Sequence, residues 1–112
     1  MLLRKPLQVL YHGTSSSNAA RIQQQGLIPV NYEHVYLTAD VQVAYDYAMN
    51  KTSGTDNLPV ICIVDSIRMQ EDGYEFYHNV VTAEWTVCCV PEKYLLQVIV
   101  ENASELKHLV CY

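Results

Sequence analysis

Residues 10–14 read Leu-Tyr-His-Gly-Thr, and the fold turns on how that stretch continues as far as Thr38. An apolar run ends in a histidine, a glycine and a hydroxyl. Ser15 to Ser17 follow, then a short helical pattern closed by Gly26-Leu27, then a second apolar fragment, His34-Val35-Tyr36-Leu37-Thr38. A strand that carries His12 to the point where the chain must turn places polar chemistry at the mouth of a cleft. Gly13 has no side chain, so a ligand is expected to approach its backbone closely.

Outward from this stretch, Leu7 to Tyr11 is expected as the first strand. One of the three serines caps a helix over residues 18–25, with Ala19, Ile22 and Gln23 inward and Arg21, Gln24 and Gln25 in solvent. Gly26 is its left-handed stop, with Leu27 folding back on the helix. Pro29 and Asn31 mark a loop before a short strand at 35–38. Thr38 or Asp40 caps a second helix, in which Val41, Ala44, Tyr45 and Ala48 keep the 3.6-residue period. Residues 51–57 form a polar, turn-rich loop. Pro59 to Asp65 is the most hydrophobic strand and is expected at the centre of the sheet. Glu71-Asp72-Gly73 turns into a weakly alternating 74–77. Residues 84–90 and 94–101 are two more strands split by Pro91, and the tail after Asn102 forms a last helical turn. About six strands and two helices, both in the N-terminal half, make an α+β fold of mainly antiparallel sheet.

Composition bounds the function. The 112 residues are half apolar, which suits one globular domain over 1–112. Seven Lys and Arg stand against twelve Asp and Glu, a net charge of −5. No basic stripe of the kind that grips phosphate backbones is visible, which favours a protein or small-molecule partner. The opening Met-Leu-Leu-Arg-Lys is broken by Pro6 and Gln8, so no signal peptide is expected. No window reaches the ~18 apolar residues of a membrane span, and the cysteine usage leads us to expect a reducing, cytoplasmic setting. Cys62, Cys88, Cys89 and Cys111 show no metal-binding spacing. Cys88 and Cys89, neighbours on one strand, point to opposite faces and stay reduced.

The order of short motifs extends the reading. Tyr11-His12-Gly13-Thr14, Gly26-Leu27 and His34-Val35-Tyr36 are followed by Asp72-Gly73, Phe76-Tyr77, Ala83-Glu84-Trp85, Val90-Pro91 and Tyr94-Leu95. From Tyr11 to about Leu96 this order resembles the ADP-ribosyltransferase superfamily. It is nearest in layout to the tRNA 2′-phosphotransferase branch, and also similar to the poly(ADP-ribose) polymerase branch. The resemblance implies a split antiparallel β-sandwich and NAD as co-substrate, with no metal.

One position divides the branches. Where the phosphotransferases carry a valine before the tryptophan, this chain has Glu84, and that place holds the catalytic glutamate of enzymes that move ADP-ribose onto macromolecules. His12, Tyr36 and Glu84 then match the His-Tyr-Glu triad of polymerase-like and diphtheria-toxin-like transferases. The phosphotransferases also grip the RNA 2′-phosphate with an arginine where this chain has Tyr32, and with a second from an N-terminal domain. The resulting expectation is an NAD-dependent mono-ADP-ribosyltransferase that releases nicotinamide. It would be a toxin or effector acting on a protein or nucleic-acid acceptor, with an inhibitor or antitoxin protein as a further partner. The alternatives are an RNA 2′-phosphotransferase, which yields ADP-ribose 1″,2″-cyclic phosphate, and an inactive NAD- or ADP-ribose-binding module.

The chemistry explains the residue types. Departure of nicotinamide leaves positive charge on the ribose, as in glycoside cleavage. A carboxylate beside it, Glu84, stabilises that charge and can accept a proton from the incoming nucleophile. The resemblance assigns His12 to the ribose hydroxyls, the Gly13 backbone to the carboxamide, Tyr36 and Tyr47 to stacking on the nicotinamide ring, and Thr14 to the adenosine side. Thr82, two residues before Glu84, cannot act as a base, which disfavours arginine acceptors. Tyr45 and Tyr47 face different ways on their helix, so one of them is packing. His34, His78 and His108 read as surface or structural, and Ser15 to Ser17 as a cap rather than a nucleophile.

Overall fold

The computed structural model describes residues 2–29 and 34–100. Asn31, Tyr32, the tail helix expected after Asn102, His108 and Cys111 lie outside these residues. Among the described residues, seven strands and three α-helices form an α+β domain, in the order β1 (Leu2–Leu3), β2 (Leu10–Ser15), α1 (Ser16–Gln25), β3 (Val35–Leu37), α2 (Val41–Thr52), β4 (Pro59–Val64), α3 (Ser66–Glu71), β5 (Tyr77–His78), β6 (Trp85–Val87) and β7 (Leu95–Val100). They build two antiparallel sheets, β1-β5-β6-β3 and β2-β4-β7.

Alternation along the strands assigns the faces. In β4, the central strand of its sheet, Val60, Cys62 and Val64 join Leu10 in one core with Val35, Leu37 and Val87 of the other sheet. Ile61 faces the opposite way, into a second cluster with Val41, Ala44 and Ala48 of α2. One sheet face therefore packs on the other sheet and its reverse on α2. Ile22 brings α1 to the edge of the main core.

Local chemistry sets the boundaries. Asp40 caps α2, its carboxylate accepting from the Gln42 N–H at 2.9 Å. Ser15 takes the cap position of α1, but its hydroxyl pairs with the Ser17 hydroxyl at 2.7 Å and caps nothing. The helix begins two residues earlier than its pattern suggests, and Gln23 is exposed rather than inward. Gly26 stops α1 at φ 77° and ψ −167°, a backbone region essentially confined to glycine. A Cβ there would lie 2.0 Å from the Val90 carbonyl oxygen. This close approach lets Leu27 and Val90 exchange backbone hydrogen bonds of 2.8 and 2.9 Å.

The first long strand starts at Leu10 rather than Leu7. Upstream, the Gln8 carbonyl accepts from the Ser66 hydroxyl at 2.6 Å, and the Gln8 amide donates to the Ala39 carbonyl at 2.7 Å. Those side-chain bonds stand where a ladder would otherwise run. Helix α3 has only six residues, too few to show a period, and is marked by its Asp65 cap on the Arg68 N–H. The strand expected over 84–90 is continuous only at Trp85–Val87, because the chain bends at Cys88 before Val90 bridges to Leu27. The two vicinal cysteines therefore do not alternate across a sheet.

Candidate active site

The Tyr11 and Thr38 backbones exchange hydrogen bonds of 2.7 and 2.9 Å, the one bridge between β2 and β3 among the described residues. A continued antiparallel ladder would set Gly13 opposite Tyr36. Instead the strands part, and the His12 imidazole spans the gap, its Nδ1–H donating to the Tyr36 carbonyl at 2.8 Å. That bond fixes the tautomer and leaves Nε2 as an acceptor. The split between the sheets opens into a cleft of about 610 Å³, within the range typical of small-molecule sites.

Gly13 has two distinct tasks. Its missing side chain faces α2: an added Cβ would stand 2.1 Å from the Ala44 carbonyl oxygen and 3.2 Å from the Ala48 nitrogen. The space a side chain would fill is thus taken by the helix. Its backbone lines the cleft. Because Tyr11 uses its N–H and C=O toward β3, the two-residue alternation of an edge strand turns those of Gly13 to the same side, where β3 has moved away.

The other residues singled out from sequence meet at this cleft. Thr14, Tyr36, Tyr47 and Glu84 line it together with His12 and Gly13. Thr14 is buried, and its hydroxyl accepts from the Asn18 side chain at 3.2 Å. Tyr36 is 40% exposed and Tyr47 60%, large fractions for aromatic rings beside a cavity. Tyr45 instead packs against the cluster beneath α2, which separates the two tyrosines as the helix geometry requires. Glu84 comes from the loop between β5 and β6. There Asn79 accepts from the Val81 N–H at 2.9 Å, and Ala83 takes a left-handed φ of 62°.

Sequence reading missed the cationic side of the site. Arg21 and Lys51 line the cleft, and Glu84 is the one carboxylate of the chain's twelve to do so among the described residues. The local charge is thus opposite to the net charge of −5 and suits phosphate groups. The signal was present as spacing: Val43, Tyr47 and Lys51 recur every fourth residue along α2, and Asn18, Arg21 and Ile22 share one face of α1. His34, read as surface, also lines the cleft, whereas His78 packs against Trp85 with ring centroids 4.5 Å apart. Among the described residues no group of three or more His, Cys, Asp or Glu is placed to hold a metal, and no helix is long and apolar enough to cross a membrane.

Burial pushes the His12 pKa below its ordinary value, the Lys51 charge adds to this, and the Tyr36 carbonyl opposes it. The folded protein therefore resists protonation that the unfolded chain accepts near pH 6.5. Stability from this group is complete above that pH and declines as pH falls through it, levelling off below the folded-state value. Urea unfolding midpoints measured between about pH 7.5 and 5.5 are expected to drop toward acid, and His12→Asn to flatten the slope.

The sequence profile of the RNA 2'-phosphotransferase, Tpt1/KptA family matches residues 2–82. A probable RNA 2′-phosphotransferase of Burkholderia pseudomallei is 34% identical over 93 residues, covering 83% of this chain and 47% of the relative. One from Pseudomonas syringae pv. tomato is 37% identical over 95 residues, covering 85% and 48%. One from Acaryochloris marina is 33% identical over 93 residues, covering 83% and 48%. The chain spans about half the length of the curated relatives it matches. These likenesses overturn the mono-ADP-ribosyltransferase reading, and with it the toxin or effector role and the glycosyltransferase class. That reading rested on Glu84 and on the arginine replaced by Tyr32, whereas the agreement with the phosphotransferases spreads over most of the chain.

Proposed function

Because this chain belongs to the RNA 2′-phosphotransferase (Tpt1/KptA) family, we propose that its cleft takes part in moving a 2′-phosphate from RNA onto the ADP-ribose portion of NAD⁺. The observation that carries the reading is one of coverage. Every described residue lining the cleft except Glu84 falls within the matched span.

The product, ADP-ribose 1″,2″-cyclic phosphate, carries one phosphate on two neighbouring ribose oxygens, so two bond exchanges are required. An oxygen of the RNA 2′-phosphate bonds to the anomeric carbon as the bond to nicotinamide breaks. The ribose 2″-oxygen then bonds to phosphorus as the RNA 2′-oxygen leaves. That oxygen ends with the proton the ribose hydroxyl gave up.

The residues map onto these needs. Nε2 of His12, held by the Nδ1 bond to Tyr36, accepts from a ribose hydroxyl and fixes the sugar. The outward N–H and C=O of Gly13 meet the carboxamide, while Tyr36 and Tyr47 offer faces to the nicotinamide ring. Thr14 lies toward the adenosine side. Glu84 steadies positive charge on the ribose as nicotinamide departs. Arg21 and Lys51 supply positive charge for the phosphates.

The test is nicotinamide release from NAD⁺ by the purified chain. A 2′-phosphorylated oligoribonucleotide is expected to raise the rate at least ~10²-fold over the same oligonucleotide with a 2′-hydroxyl, the scale set by positioning a nucleophile. Equal rates with the two would sink the reading.

A further inference from the structure

Cys88 and Cys89 are not among the residues that line the cleft. Strand pairing stops at Val87, the chain bends at Cys88, and the two Sγ atoms face each other at 3.8 Å. The bend is held from both flanks. Val87 and Val90 are fully buried, and Val90 is locked to Leu27 by two backbone hydrogen bonds. Cys88 is exposed and Cys89 half-buried, so one thiol is open to attack while its neighbour waits beside it.

We infer that Cys88 and Cys89 form a reversible redox site that closes to a vicinal disulfide by exchange with a small-molecule disulfide such as oxidised glutathione. The Cys88 thiolate attacks one sulfur of the oxidant, breaking its S–S bond and releasing one reduced thiol. A mixed disulfide is left on Cys88. The Cys89 thiolate then attacks the Cys88 sulfur and releases the second reduced thiol. Two electrons pass from the pair to the oxidant, and both cysteine protons end on the released thiols. The sulfurs stand 3.8 Å apart and close to the ~2.05 Å of a bond.

Two physical points shape the outcome. Burial, with the neighbouring Cys88 thiol adding to it, pushes the Cys89 thiol up, so exposed Cys88 is the natural first attacker. Adjacent Cα atoms lie ~3.8 Å apart, shorter than the usual span of a disulfide, so the closed ring is strained and readily reduced. Such bonds belong to the labile class rather than the structural one. Cys62 is no competitor: it is fully buried, and burial pushes its thiol up to about 12.

The test titrates the full chain against mixtures of oxidised and reduced glutathione and reads peptide masses. On the oxidising side, the peptide holding both residues is expected to lose two hydrogens and retain no glutathione. Excess reduced glutathione should restore it at a ratio that leaves an ordinary structural disulfide intact. Cys88→Ser and Cys89→Ser should each abolish the two-hydrogen loss. A mixed glutathione disulfide persisting on Cys88 as the end product would overturn the inference. So would disulfide-linked dimers through either residue, or both thiols staying free at full oxidation.

Discussion

Gly13→Ala is expected to cost the protein at least ~3 kcal/mol, the upper end of what overpacking usually exacts. The added methyl would sit 2.1 Å from the Ala44 carbonyl oxygen, 3.0 Å from its carbon and 3.2 Å from the Ala48 nitrogen. All three are helix backbone, so no side chain can swing aside. Relief requires α2 to lift off β2, which pulls Ala44 and Ala48 out of their contact with Ile61. It also moves Tyr47 and Lys51 away from the cleft. Thermal melting should fall by more than ~10 °C, given the 4–8 °C per kcal/mol of domains near this size. Gly54→Ala is the control. Unlike Gly13 it has a positive φ, 75°, and a Cβ there meets nothing within 4 Å, so the cost is confined to backbone strain of about 1–2 kcal/mol. Equal melting losses in the two variants would refute the packing argument.

His12→Ala is expected to lower NAD⁺-dependent turnover about 10²–10³-fold, the loss typical of removing one well-placed hydrogen-bonding group from a reacting centre. Two effects combine. The variant removes the acceptor proposed for the ribose hydroxyl. It also removes the 2.8 Å bond to the Tyr36 carbonyl that spans the parted strands, so the tyrosine on that strand loses its reference point. A core of both sheets remains below the gap, so far-ultraviolet circular dichroism should match the parent chain. Retained turnover with an unchanged spectrum would remove His12 from the proposed site.

These two neighbours show what was legible in the chain and what was not. His12, Thr14, Tyr36, Tyr47 and Glu84 could be named because short motifs fix their order, and the structure sets all five on one cleft. The apolar run of β4 and the 3.6-residue period of α2 were equally readable, since burial on two faces or on one stripe writes directly into composition. Gly13 was readable as a position but not as a reason. No local pattern tells that the helix Val41–Thr52 will fill the space beside it. Strand ends were similarly hidden. Cys88-Cys89 lies in an unbroken apolar run, and only the tertiary bridge between Leu27 and Val90 shows that pairing has stopped. The cations at the cleft were invisible to a net charge of −5, because charge counted along a chain carries no direction.

Glu84 teaches a different lesson. A single carboxylate at a telling position argued for transfer of ADP-ribose to a macromolecule, whereas the agreement spread over residues 2–82 argues for the phosphotransferases. Both chemistries pass through positive charge on the ribose, so a carboxylate near the sugar serves either and separates neither.

The most direct measurement follows the fate of NAD⁺ labelled in its adenylate phosphate, supplied with 2′-phosphorylated RNA and the purified chain. Phosphotransfer puts the label into a small molecule identified by mass and phosphorus NMR as ADP-ribose 1″,2″-cyclic phosphate, while the RNA ends with a free 2′-hydroxyl. Label that stays attached to RNA or protein as ADP-ribose, with the 2′-phosphate never released, would contradict the account.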